Sequence, residues 1–226
     1  GHWFASFCCM EDTGDLELGT GITVGIDLGI KSLAVTSDGK IFENPKALKI
    51  NLKKLARLQR KLARQIKTSN NRKKTKIKIS RLHYKISNIR KDALHKATSA
   101  IVKARAKPET IVLENLNVSG MLKNRKLSRA ISDVGFFEFR RQIEYKSKWN
   151  GIKVKIAPAF YPSSKTCNVC SNINKELKLS NRVWVCKNCG TKLDRDLNAA
   201  INLANLAKTT VSSTGSNACG QGQPWM

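Results

Sequence analysis

A mixed α/β fold is the expectation for this chain, and three observations predict it. Short β-branched runs that end in a carboxylate alternate with long stretches of helical periodicity. Two Cys-x-x-Cys pairs stand near the C-terminus. Acids are scarce, with 42 Lys and Arg against 16 Asp and Glu, a formal charge of +26 over 226 residues. Hydrophobic residues make up 41%, enough for a packed core and too many for wholesale disorder. A charge excess of this size repels itself unless a polyanion sits against it, so nucleic acid is the implied partner class, although a generic basic surface would give the same total. No apolar run is long enough to span a bilayer, and no secretion signal opens the chain. Membrane and secreted classes are therefore set aside, and a cytoplasmic, nucleoid-associated protein is expected.

Residues 22–27, Ile-Thr-Val-Gly-Ile-Asp, read as a strand, followed by Leu28-Gly29. Leu33 to Thr36 reads as a second, and Ser37-Asp38-Gly39 as a tight turn into a third at Lys40-Ile41-Phe42. The three form an antiparallel meander. From Pro45 to Lys107 the period changes. Leu48, Leu52, Leu55, Leu58, Leu62 and Ile66 mark one helix, Thr68 to Asn71 a break, and Leu82, Ile86, Ile89, Ala93, Ala97 and Ile101 a second helix. This stretch holds 22 of the 42 basic residues and one acid, Asp92. A helical hairpin with a single apolar stripe follows, and its basic exterior is either a solvated face or a nucleic-acid groove. The groove is the preferred reading, since ordinary helix faces mix both signs. Lys53, Lys54, Arg57, Arg60, Lys61, Arg64, Arg72, Lys73 and Lys74 are its candidate contacts, with Lys165 further on.

Pro108 closes the hairpin. Thr110 to Glu114 is a buried-type strand, Ile131 to Asn150 a helix stopped by Gly151, and Ile152 to Ala157 a strand. Residues 160–191 lack helical period, and Leu193 to Ala207 is a last helix with Leu193, Leu197, Ala200, Ile201 and Ala204 on its apolar side. The Ser-, Thr- and Gly-rich tail from Lys208 is expected to be disordered.

Cys167-x-x-Cys170 and Cys186-x-x-Cys189 are separated by fifteen residues. Two such knuckles complete a tetrahedral four-sulfur zinc site, and Gly190 suits the positive φ of the second. Two disulfides would need an oxidising compartment that nothing here suggests. With four protein ligands the site is structural, not catalytic. Cys8, Cys9 and Cys219, and the scattered His2, His83 and His95, are given no role.

The placement of the few acids is informative. Asp27 and Glu114 each end an apolar strand, where a carboxylate is costly unless paired or bound to a cation. If those strands are neighbours their ends converge, and the start of the last helix can add Asp196. Three carboxylates in a basic protein suit Mg²⁺ or Mn²⁺, hard ions that prefer oxygen. Spacing alone does not separate this from unrelated surface acids, and Asp194 reads equally as a helix N-cap.

Five segments now stand in order: Gly25-Ile26-Asp27-Leu28-Gly29, Leu113-Glu114-Asn115-Leu116, Ser163-Ser164-Lys165-Thr166-Cys167-x-x-Cys170, Cys186-x-x-Cys189-Gly190 and Asp194-Arg195-Asp196-x-Asn198-Ala199-Ala200. Together they closely resemble the TnpB proteins, also called OrfB, of bacterial and archaeal insertion sequences, and the related type V CRISPR effectors. The resemblance covers roughly residues 20–207. It implies an RNase H-like (RuvC) mixed sheet at 21–159 carrying the basic hairpin 45–107, an inserted zinc ribbon at 160–191, and the final helix of that fold at 192–207. It further implies that Asp27, Glu114 and Asp196 are the Mg²⁺-binding catalytic triad, with Asp194 and Asn198 in support. A guide RNA would direct cleavage of target DNA by base pairing. Family members carry an N-terminal recognition lobe, so residues 1–20 are expected to be its remnant, with a closing strand at His2 to Phe7 and the rest supplied in trans. A non-cleaving nucleic-acid-binding regulator, or a decayed transposon protein without its recognition lobe, is the alternative.

Overall fold

The computed structural model describes residues 3–9, 21–178 and 180–211. Its centre is a mixed five-stranded sheet built from β1 (Thr23–Leu28), β2 (Ser32–Thr36), β3 (Ile41–Glu43), β4 (Thr110–Leu113) and β5 (Lys153–Ile156), in the order β3-β2-β1-β4-β5. The meander β1-β2-β3 is antiparallel, while β1, β4 and β5 run parallel. The parallel strands need long crossovers, and these are helical.

The first crossover is the basic hairpin, α1 (Ala47–Ala63) and α2 (Asn70–Val102). Ser69 caps α2 by accepting a bond from the Arg72 amide at 3.2 Å. The hairpin closes over Leu55, Leu82 and Ile86, with Leu48 and Leu58 against them. Ile66, expected on the same stripe, lies beyond the end of α1 and is 76% exposed. The start of α1 has no side-chain cap of its own. Asp133 supplies one from a distance, its Oδ2 accepting the Leu48 amide at 2.9 Å while Oδ1 pairs with Arg90 of α2 at 2.7 Å. One buried carboxylate thus fixes both helices of the hairpin to the body of the protein.

The second crossover departs from expectation. In place of one helix over 131–150 there are α3 (Val118–Leu122), α4 (Ser128–Val134) and α5 (Phe136–Trp149). Gly135 takes φ 76, a left-handed conformation open to glycine that ends α4 and starts α5 in a new direction.

Strand alternation divides the sheet into two faces. Ile26 and Leu28 of β1 and Ile111 and Leu113 of β4 join the main core with Leu94 and Ile101 of α2, Ile131 and Val134 of α4, and Phe139 and Ile143 of α5. The other face is covered by α6 (Arg195–Val211), where Val112 meets Leu203 and Ala207. The helix runs four residues past its expected end at Ala207, because no Gly or Pro interrupts Lys208 to Val211 and a formed helix extends at little cost. The remaining expected disorder, 212–226, lies outside the described residues.

Between β5 and α6 sits the ribbon, with a two-stranded hairpin of β6 (Val183–Val185) and β7 (Lys192–Asp194). It reaches three residues beyond the expected boundary at 191, and β7 runs straight into α6. Residues Trp3 to Phe7 form no strand, and Trp3 and Phe7 are exposed. No ladder among the described residues includes residues 3–9. His2 and residues 10–20 of the expected remnant lie outside the description. Among the described residues, no helix is long and apolar enough to cross a membrane.

Gly25 faces α6, and a Cβ there would stand 2.0 Å from the Ala200 carbonyl oxygen and 2.5 Å from the Ala204 amide nitrogen. Both are helix backbone and cannot rotate away. Gly25→Ala is therefore expected to lower stability by more than the ~1–3 kcal/mol of ordinary overpacking. A chemical-denaturation midpoint equal to that of the parent would contradict the close approach.

Candidate active site

The parallel register of β1 and β4 ends with Ile26 opposite Leu113, so Asp27 and Glu114 follow side by side at the carboxyl ends of adjacent strands. Asp27 shares the face of Gly25, and Glu114 that of Val112, by the two-residue alternation of a strand. Both faces look onto α6. From the level of Ala200, opposite Gly25, α6 reaches Asp196 in one turn, about 6 Å, which matches the two-residue step from Gly25 to Asp27. The three acids stand at the same end of sheet and helix, with Glu114 and Asp196 near enough for their charges to act on Asp27.

Burial pushes the Asp27 carboxyl well above the usual carboxylate range, and the neighbouring charges of Glu114 and Asp196 push it further. Arg195 and Arg182 pull the other way. Burial also raises Glu114, with a long contact of 3.5 Å from the Ser163 hydroxyl opposing it. Asp196 is paired with Arg182 at 3.0 Å and with Arg195 at 3.2 Å. Among the described residues, the three carboxylates are not drawn together to mutual ligating distance. Among the described residues, the group of three or more Cys, His, Asp or Glu whose donor atoms all lie within 4.8 Å of one another is Cys167, Cys170, Cys186 and Cys189.

Those four thiols are free of disulfides, with Cys167 and Cys189 sulfurs 3.6 Å apart and Cys170 and Cys186 likewise 3.6 Å apart. Four ~2.3 Å bonds to a tetrahedral zinc would set sulfurs about 3.8 Å apart, so the cluster fits such an ion. Burial raises the Cys167 thiol to about 11, whereas contact with Thr191 brings Cys189 down to about 6. Backbone amides of Cys189 and Asn188 lower Cys186. Trp184, Leu177 and Leu193 pack around the sulfurs.

The family model OrfB_IS605, described as "Probable transposase", matches residues 6–125, more than half of the chain. The chain belongs to the OrfB family. A second model, "Cas12f1-like, TNB domain", matches residues 136–203 of this OrfB chain. A Streptomyces pristinaespiralis protein named "Putative RNA-guided DNA endonuclease" is 40% identical over 98% of this chain and 52% of its own length. "Putative RNA-guided DNA endonuclease InsQ" of Escherichia coli K12 is 39% identical over 90% of the chain and 53% of its own length. The chain thus spans about half the length of these curated relatives. Among solved structures, the "Cryo-EM structure of CRISPR-Cas12f Ternary Complex" superposes with a TM-score of 0.64 at 25% identity, over 84% of this chain and 40% of that one.

Two positions named from the OrfB motifs have a definite structural task. Asp194 caps α6, its Oδ1 accepting the amides of Asp196 and Leu197 at 3.0 Å each. Asn198 is 2% exposed and staples the ribbon to α6, accepting the Asn168 amide at 3.0 Å and donating to the Thr166 carbonyl at 2.7 Å. Sequence reading missed its companion Asn202, which donates to the carbonyls of Ser163 and Thr166 at 2.7 and 2.6 Å. Two Asn four residues apart, on one face beside the apolar stripe of the helix, were the available signal. Arg182 was also missed, and Ser163 entered only as part of a motif without a role, because a partner brought by the fold leaves no trace in local spacing.

On the hairpin, Lys53, Lys54, Arg57, Arg60, Lys61, Arg64, Lys73 and Lys74 are exposed, as is Lys165 in the ribbon. Arg72 is not part of that face. Its guanidinium donates to the carbonyls of Leu62 and Gln65 at 2.7 and 3.1 Å, closing the C-terminus of α1.

Asn202→Ala would leave two loop carbonyls without this donor, a cost of ~1–3 kcal/mol for a buried site. Limited proteolysis should then cut within 163–175 at a higher rate than in the parent. An unchanged cleavage rate in that window would remove Asn202 from the coupling.

Proposed function

We propose that this chain carries the nuclease centre of an RNA-guided, divalent-metal-dependent DNA endonuclease of a transposable element. Its sheet and flanking helices are read as RNase H-like (RuvC). The observation that carries the reading is the placement of Asp27, Glu114 and Asp196 at one end of the sheet, with Asp27 desolvated and facing two like charges. Such an arrangement is unfavourable for unpaired acids and favourable for acids that hold a cation. The all-oxygen donor set fits Mg²⁺ or Mn²⁺. Bound there, two such ions would activate water and stabilise the leaving 3′ oxygen of a phosphodiester.

The residues' own part is to hold three carboxylates at a fixed spacing on rigid elements. Arg182 and Arg195 limit the negative charge that would otherwise repel a phosphate. The exposed lysines and arginines of α1 and α2 are read as contacts for guide RNA and target DNA through their backbones. The cysteine cluster is read as a structural zinc site, since all four positions around the ion are protein sulfur. The relatives named as RNA-guided DNA endonucleases support this reading, and so does the likeness to Cas12f. With half of the relatives' length present, guide binding and target choice are assigned to the whole protein, with a recognition lobe in cis or in trans.

The deciding experiment is cleavage of labelled single-stranded DNA with Mg²⁺ by the chain and by Asp27→Ala. Cleavage by the parent is expected, with a loss of at least ~100-fold in the variant, the scale of removing a principal transition-state contact. Mn²⁺ should raise the thermal midpoint of the parent and not of the variant. Salt-sensitive binding without cleavage by either would favour the non-cleaving regulator.

Zinc has its own test. A chelator should lower the thermal midpoint and expose 163–194 to hydrogen exchange, because the ribbon has too few buried residues to fold unaided. A melting curve indifferent to chelation would exclude a structural ion.

A further inference from the structure

The carboxylate end of the sheet also carries an aromatic ring that neither the core nor the proposed chemistry uses. Phe160 is 92% exposed and stands at φ 63. For a bulky side chain this backbone conformation is an outlier, and burial of the ring returns nothing against its cost. The Tyr161 amide donates to the Pro158 carbonyl at 3.2 Å, so Phe160 is the third residue of a β-turn, the place where a positive φ calls for glycine.

The loop that presents the ring is fastened at both ends to the strand of Glu114. The Ala157 amide donates to the Leu113 carbonyl at 2.8 Å, and the Ser163 hydroxyl lies 3.5 Å from the Glu114 carboxylate. Between these two points Tyr161 turns inward against Val112, Ala157 and Leu203. Pro158 and Pro162 restrict the backbone on either side. With Tyr161 anchored and both ends tied, the ring of Phe160 is held out in solvent at the carboxylate end of the sheet.

We propose that Phe160 is a stacking platform for one base of a single nucleic-acid strand whose backbone crosses the carboxylates. The nature of the ligand rests on the nuclease reading above. The charge of the chain favours a polyanion over an apolar protein segment, and exposed Lys165 follows in the same loop region. Every base offers a π-face, so a single exposed ring positions a strand without reading its sequence. The strain at φ 63 is then the cost of presenting a ring where the fold calls for glycine.

The test is equilibrium binding of three labelled oligomers of equal length by the whole chain, without divalent cation, at low and high salt. They are an oligodeoxynucleotide, the matching oligoribonucleotide, and an abasic sugar-phosphate polymer. Phe160→Ala should bind the base-bearing strand that the platform serves roughly 5- to 100-fold more weakly. That factor should be the same at both salt concentrations, since stacking releases no counterions. The abasic polymer should bind parent and variant equally. Phe160→Trp should restore affinity, and Phe160→Gly should lose it while keeping or raising the thermal midpoint, because the backbone strain is relieved. The strand type that shows the factor, DNA, RNA or both, identifies the platform's ligand. Equal affinities of parent and Phe160→Ala for both base-bearing strands would overturn the proposal, as would an equal loss on the abasic polymer. No cleavage is measured, so failure of the nuclease reading would appear separately, as cleavage that does not depend on Asp27.

Discussion

The approach of α6 to β1 at Gly25 is the constraint on which the rest of the molecule depends. Helix backbone lies so close to the strand that no side chain fits between them. That distance fixes the height of α6 on the sheet, and with it the level at which Asp196 stands relative to Asp27. Small residues on the helix, Ala199 and Ala200, are fully buried and match the missing side chain on the strand. A larger residue on either side would lift the helix, and the three acids would no longer share one end of the sheet.

Electrostatics then explains how so basic a chain uses its few acids. Asp133 caps α1 and pairs with Arg90, Asp194 caps α6, and Asp27, Glu114 and Asp196 stand together at the end of the sheet. Each of these first two is satisfied by donors that the fold supplies. Among the last three, burial and then the charges of Glu114 and Asp196 raise the Asp27 carboxyl, and Arg195 and Arg182 offset this only in part. A protein with abundant positive charge has left the Asp27 carboxylate, at the end of a core strand, against two of its own sign. That asymmetry separates the cluster from the structural acids.

Much of this was legible in the sequence, and the rest was hidden for physical reasons. The meander, the basic hairpin, the strand pair ending in Asp27 and Glu114 and the cysteine cluster all follow from local patterns: period, turn residues and ligand spacing. The parallel pairing of β1 with β4 is not local, since more than 80 residues separate the two strands, and two apolar runs ending in an acid raised it only as a condition. The break at Gly135 was passed over because the apolar period continues on both sides of it. Arg72 counted as surface charge because nothing in composition says which arginine will meet a bare helix terminus. The strand expected over His2 to Phe7 is not formed at residues 3–7, where β-prone residues alone do not make a ladder. Arg182, Ser163 and Asn202 gain their meaning only from contacts across the fold.

The ribbon is more than an appendage, because covalent and hydrogen-bonded links tie it to the site. Strand β7 passes without a loop into α6, so the end of the ribbon hairpin sets the first turn of the helix that carries Asp196. Asn198 and Asn202 hold Ser163 to Asn168 against that same helix, and Ser163 in turn faces Glu114. Arg182, at the start of β6, reaches Asp196 from the ribbon side. Two of the three acids are therefore touched by ribbon residues, and the third lies on the strand that α6 packs against. An ion that orders the four cysteines would order these contacts with them, so a structural metal far from substrate would still govern the geometry of the carboxylates.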